Sequence, residues 1–135
     1  MKRKWFLIAG FLLILLAAAL SYYIYQKPRT EVAGVEAVHT LTAEKLYHEF
    51  VSVESAANEK YTDKIVEVKG VVSEVQAMDG SAMVLLAEEI ETGGINFSLQ
   101  GNIVALPQKG QLVTIKGKCT GFLIDVNLVD AVFAN

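Results

Sequence analysis

The chain has 135 residues, room for one domain and an appendage. Twelve Lys or Arg stand against fifteen Asp or Glu, a formal net charge of −3, which excludes a uniformly basic polyphosphate binder. A single cysteine, Cys119, excludes an internal disulfide.

A short basic end, residues 1–4 with Lys2, Arg3 and Lys4, precedes an uncharged run, "WFLIAGFLLILLAAALSYYIY" (5–25). Twenty-one residues at ~1.5 Å each reach ~31 Å, the thickness of a bilayer core. Ala17-Ala18-Ala19 offers the small residues of a signal-peptide cleavage site. Against cleavage, "LSYYIY" prolongs the apolar run, and Trp5, Tyr22, Tyr23 and Tyr25 sit where interfacial aromatics belong. The reading is an uncleaved single-pass anchor. Three basic residues before the span against two after it (Lys27, Arg29) favour a C-terminal domain facing outward, into the cell envelope.

Residues 26–40, "QKPRTEVAGVEAVHT", read as a tether with Pro, Gly, mixed charge and no sustained period. A helix is expected over 43–60. Thr42 suits its N-cap and Glu44 its first turn. Leu46, Phe50, Val53 and Ala57 form one apolar stripe.

Strands follow. Ile65 to Val75 alternates, with Gly70 as a tolerated bend or bulge. Asp79-Gly80 is a tight turn into "AMVLLA" (82–87). Gly93-Gly94 turns into "INFSL" (95–99), where Phe97 alternates with Ile95 and Leu99 as core and Asn96 and Ser98 take the other face. "NIVALP" (102–107) is a connector with room for one helical turn. "QLVTIKGKC" (111–119) is the fourth strand. "FLIDVNLVDAVF" (122–133) is the fifth, with Val126, Leu128 and Val132 as its apolar positions. The pattern gives a mainly β domain over 41–135: a five-stranded OB-like Greek-key barrel preceded by one α-helix that plugs its open end.

"ESAANEKYTDKIVEVKGVV" (54–72), "KGQLVTIKGKCTG" (109–121) and "DVNLVDA" (125–131), in that order, resemble the bacterial tRNA-anticodon-binding-like OB-fold family. The resemblance covers about 41–133. It implies a small envelope protein with an N-terminal anchor or lipoprotein signal; no Cys near the span is placed for lipid attachment. Two departures stand out. Relatives carry Asn at the position of Val53 and a second Cys at that of Ala131. If Cys119 faces position 131 across the last hairpin, the resemblance implies for such relatives a disulfide that this chain cannot make.

Nucleic-acid binding through such a barrel needs a basic groove and stacking aromatics on strands two and three. Residues 70–108 hold Glu74, Asp79, Glu88, Glu89 and Glu91, no Lys or Arg, and one aromatic, Phe97. The domain from residue 28 onward has eight basic residues against fifteen acidic ones. Lys64, Lys69, Lys109, Lys116 and Lys118 lie on or near strands one and four, where they read as solvated faces. Nucleic acid is therefore disfavoured as a partner. His39, His48 and Cys119 assemble no catalytic or metal-ligating set, and "EEIE" (88–91) lacks the spaced ligands of a calcium loop. No catalysis, metal or cofactor is expected. Cys119 reads as a small core residue. What remains is a binding or scaffold module with an envelope protein or small polar ligand as partner. Its ligand-facing positions are Asp79, Gly80, Ser81, Asn96, Ser98, Thr120 and Gly121, small, polar and neutral to acidic.

Overall fold

A computed structural model of the chain describes residues 1–26, 32–87, 93–101, 103 and 105–134. The N-terminal helix α1, Lys2–Tyr25, has no buried residue and is long and apolar enough to cross a membrane. It includes the basic residues at its start, so it exceeds the apolar run.

Five strands close into a barrel. They are β2 (Ile65–Met78), β3 (Ser81–Leu86), β4 (Ile95–Gln100), β5 (Leu112–Phe122) and β6 (Val126–Phe133). Antiparallel pairings join β2 to β3, β3 to β4 and β5 to β6; β4 runs parallel to β6, and β2 pairs with β5 to complete the closure. This is the OB-like order, and closure removes the free edges of the sheet. Alternation carries it: Val84, Leu86, Ile95, Phe97, Ile115 and Cys119 point inward and are fully buried. Each large aliphatic or aromatic side chain so buried contributes about 1.5–3 kcal/mol.

Several expectations need correction. The first strand runs three residues past Val75, to Met78. Its irregularity lies between Val72 and Glu74 rather than at Gly70. Gly70 is required by close approach: a Cβ there would lie 2.8 Å from that of Ala43 and 3.3 Å from Leu86. In the last strand the inward set is Val126, Leu128 and Ala131, not Val132. Asp130, at φ 52°, inserts an extra residue and resets the alternation. Cys119 lies opposite Leu128, so it does not face position 131. Asn102 and Val104 of the connector lie outside the described residues; Ile103 and 105–107 are not helical.

Of the segment read as a tether, residues 27–31 lie outside the described residues and 32–40 are docked. Val32–Gly34 forms a 3₁₀ turn with Val32 buried, and β1 (His39–Thr42) pairs in parallel with Val66–Lys69. Lys116 Nζ donates to the carbonyls of Val35 (2.8 Å) and Ala33 (3.4 Å), and Val38 N donates to Ile65 O. β1 thereby pairs with the part of β2 that β3, beginning its pairing at Val72, leaves uncovered.

The expected helix is two pieces, α2 (Ala43–Ser52) and α3 (Glu54–Tyr61). Thr42 Oγ1 accepts from Lys45 N as the N-cap. Val53, at φ −144°, breaks the run and is 54% exposed, so the buried stripe is Leu46, Phe50 and Ala57 without it. The break turns α3 so that Ala57 and Tyr61 bury. Glu49 Oε2 spans the break, accepting from Lys60 Nζ (2.9 Å) and Tyr61 OH (2.7 Å).

Candidate functional site

The outer face of β2, β3 and β4 is built by register. Before the bulge the inward residues of β2 are Val66, Val68 and Val72; after it Val75 turns toward the core, and Glu74 and Gln76 are exposed. One extra residue at Ser73 therefore aims two polar side chains outward that an unbroken strand would aim at the core. Two cross-strand rows result. One is Glu74, Leu85 and Asn96; the next is Gln76, Met83 and Ser98.

Glu74, Gln76, Met83, Leu85 and Asn96, with Asp125 from the β5–β6 loop, line a shallow groove of about 150 Å³. Gln76 Nε2 donates to Glu74 Oε1 at 2.7 Å. Asp125 Oδ1 accepts from Gly94 N at 2.8 Å, and Asn127 Nδ2 donates to Asp125 O at 3.0 Å. The floor is aliphatic, and the walls are carboxylates and amides. Lys109 lines a separate depression at the bulge, with Ser73, Glu74 and Val75.

The anticipated residues distribute around this groove rather than converging. Asn96 lines it, and Ser98 lies in the adjacent row. Asp79, Gly80 and Ser81 sit at one end of β3 and β4, beside Gln100 and Gly101. Thr120 and Gly121 belong to the opposite end, where β6 starts beside Ile95. Thr120 Oγ1 donates to Asn127 O, so its hydroxyl is already engaged. Sequence reading missed Glu74, Gln76, Met83, Leu85 and Asp125. The acid-without-base composition of 70–108 flagged this stretch, but only the bulge decides which residues face out.

The barrel lysines are largely engaged in the fold. Lys116 holds the N-terminal segment, Lys118 lies 3.7 Å from Asp63, and Lys64 donates to Glu59 O and Lys60 O at the end of α3. Residues within the stretches that carry the family resemblance prove structural too. In "AANEKY", Ala57 and Tyr61 are core and Asn58 Oδ1 accepts from Thr62. In "KGKCTG", Gly117 passes under β6, where a Cβ would meet Leu128 at 3.1 Å, Cys119 is buried and Gly121 has φ 125°.

Titratable groups follow the same pattern. Hydrogen bonds from Lys60 and Tyr61 hold the Glu49 carboxyl below its ordinary range, while burial raises the Tyr61 phenol and the Cys119 thiol. His39 stacks edge-on to Tyr61, and His48 contacts Ser52. Among the described residues no group of three or more His, Cys, Asp or Glu is placed to hold a metal. "EEIE" (88–91) lies outside the described residues.

A family model described as tRNA_anti-like matches residues 1–132. A crystal structure from Klebsiella pneumoniae subsp. pneumoniae, a lipoprotein provisionally described as nucleic acid-binding, has the same fold. It aligns with a TM-score of 0.57 at 17% identity, covering 81% of this chain and 100% of that one. An OBody bound to hen egg-white lysozyme aligns at a TM-score of 0.40 and 13% identity, over 56% of this chain and 86% of that one. No curated protein matches.

Proposed function

The chain belongs to the tRNA_anti-like family, and from that premise we propose that it is a membrane-anchored, non-catalytic binding module. Its OB-like barrel takes a protein or small polar ligand on the outer face of β2, β3 and β4. One observation carries this: the face a nucleic-acid barrel would make basic and aromatic is acidic, amide-bearing and aliphatic. Of the lysines near that face, Lys116 and Lys118 on β5 make contacts within the fold instead, and Lys109 lines a separate depression beside Glu74. Helix α1 serves as the anchor, and the basic excess before it supports an envelope-facing barrel.

The experiment places a photoreactive residue at Ser98, on the face, and at Lys69, exposed on the opposite part of β2, in cells bearing the full chain. A specific envelope neighbour captured from Ser98 and absent from Lys69 is expected. Identical neighbours from both positions would overturn the assignment of the face. Protease digestion of a C-terminal tag in intact spheroplasts is expected, and protection would reverse the orientation.

A second reading, binding of single-stranded nucleic acid or tRNA, is favoured by the description given to the Klebsiella structure. It requires salt-sensitive retention of single-stranded oligonucleotides by the full chain in nanodiscs. The acidic face predicts no retention even at low salt.

A further inference from the structure

The β5–β6 hairpin tip carries the two most exposed large aliphatic residues among the described residues outside α1: Leu123 at 84% and Ile124 at 78%. Such exposure on a rigid element differs from a stray surface leucine. The tip is held by helix α2, by the approach to β4 and by a bond of its own. Phe122 stacks on Phe50 (5.8 Å between centroids) and meets Tyr47 edge-on (6.1 Å). Leu123 N donates to Asp125 O, and Asp125 Oδ1 accepts from Gly94 N. Beneath it, a Cβ on Gly93 would lie 2.8 Å from both Ile124 O and the Tyr47 hydroxyl, so the backbone passes there without spare room. Two aliphatic side chains are thus presented to solvent on a preorganised support, which lowers the ordering cost of contact.

The next residue, Asp125, already lines the groove with Glu74, Gln76, Asn96, Met83 and Leu85. The aliphatic tip therefore adjoins, through Asp125, a groove with an aliphatic floor and two carboxylates. Lipid is a poor match, because anionic headgroups would meet Asp125 and Glu74. A second copy of this face would bring carboxylates together.

We propose that this surface docks a polypeptide segment carrying aliphatic side chains beside Lys or Arg, with Leu123 and Ile124 as its apolar anchor and Glu74 and Asp125 as its charge partners. The proposal rests on the reading of the β2–β4 face as the ligand-binding one. Aliphatic groups of the segment cover the tip and floor, and its cations fix orientation and speed encounter. Exposed aliphatics removed from water supply the affinity.

The test uses the full chain in neutral-lipid nanodiscs and two fluorescent peptides of equal charge, one alternating Leu with Lys, the other Ser with Lys. The Leu-Lys peptide is expected to bind more tightly by about tenfold or more. The double variant Leu123→Ser/Ile124→Ser, which removes no packed side chain and should melt unchanged, is expected to abolish that preference. Glu74→Gln is expected to weaken both peptides severalfold at low salt. Unchanged binding in the double variant, with Glu74→Gln still weakening it, would overturn the anchor and leave the face reading intact. Binding indifferent to both changes would overturn both. A spin label at Ile124 reporting burial in the bilayer would also sink the proposal.

Discussion

The two hairpin ends that flank the β2–β4 face make an instructive pair. Both depend on a glycine at positive φ, Gly80 at 70° and Gly93 at 94°. Around Gly80 a Cβ would meet nothing within 4 Å, and Asp79 beside it is exposed. Around Gly93 it would meet Ile124 O, the Tyr47 hydroxyl and Asp125. The first end is a local turn, dictated by two residues. The second is a tertiary construction in which helix α2, the approach to β4 and the β5–β6 tip hold one another. A turn that needs only its own sequence can tolerate change; a turn built from three elements can present a defined surface.

The sharpest way to break the comparison is a methyl group at each end. Gly93→Ala would press a Cβ into Ile124 O and the Tyr47 hydroxyl, on top of the strain of its positive φ. It is expected to cost about 3 kcal/mol, the upper range for overpacking, read as a fall in the denaturant midpoint of the barrel. Gly80→Ala meets only backbone strain and should cost about 1–2 kcal/mol. Equal losses would refute the contrast.

Removing a carboxylate should separate the ends again by a smaller amount. Asp125→Ala leaves Gly94 N without its acceptor and is expected to destabilise by about 1–3 kcal/mol. Asp79→Ala, at the open turn, should stay within about 0.5 kcal/mol by thermal melting.

The smallest effect concerns the helical pair beneath the constructed end. Glu49 is held below its ordinary pKa, so its stabilising contribution is present above the unfolded carboxylate's value and is lost as pH falls through the folded one. Thermal melts followed into acid should therefore decline more gently in Glu49→Gln than in the natural chain. Parallel curves would show that the bonds from Lys60 and Tyr61 do not link α2 to α3 in solution.

Local signals in the chain were faithful where structure is local. The Asp79-Gly80 turn, the Thr42 cap, the inward run Ile95, Phe97, Leu99 and the burial of Cys119 all follow from short-range pattern. Features decided across the fold escaped. β1 is four residues long and pairs in parallel with Val66–Lys69, so nothing nearby announces it. Val53 continues the apolar stripe and breaks the helix because α3 must turn to bury Ala57 and Tyr61. Of the site, Asn96 and Ser98 were readable from alternation. Glu74 and Gln76 were not, because the bulge at Ser73 reverses the parity of everything after it.

The docking of Val32 has a final consequence, given the proposed anchor. Tyr25 and Val32 are seven backbone steps apart, at most roughly 25 Å of extended chain. The barrel is then confined to a thin layer over the bilayer, and a partner in the same membrane is met at an effective concentration that can approach the millimolar range. A contact of only micromolar strength would be well occupied there and nearly empty toward a freely diffusing competitor. Selectivity can then arise from shared address as much as from the groove, and lengthening residues 26–31 with Gly-Ser repeats is expected to lower occupancy while leaving intrinsic affinity unchanged.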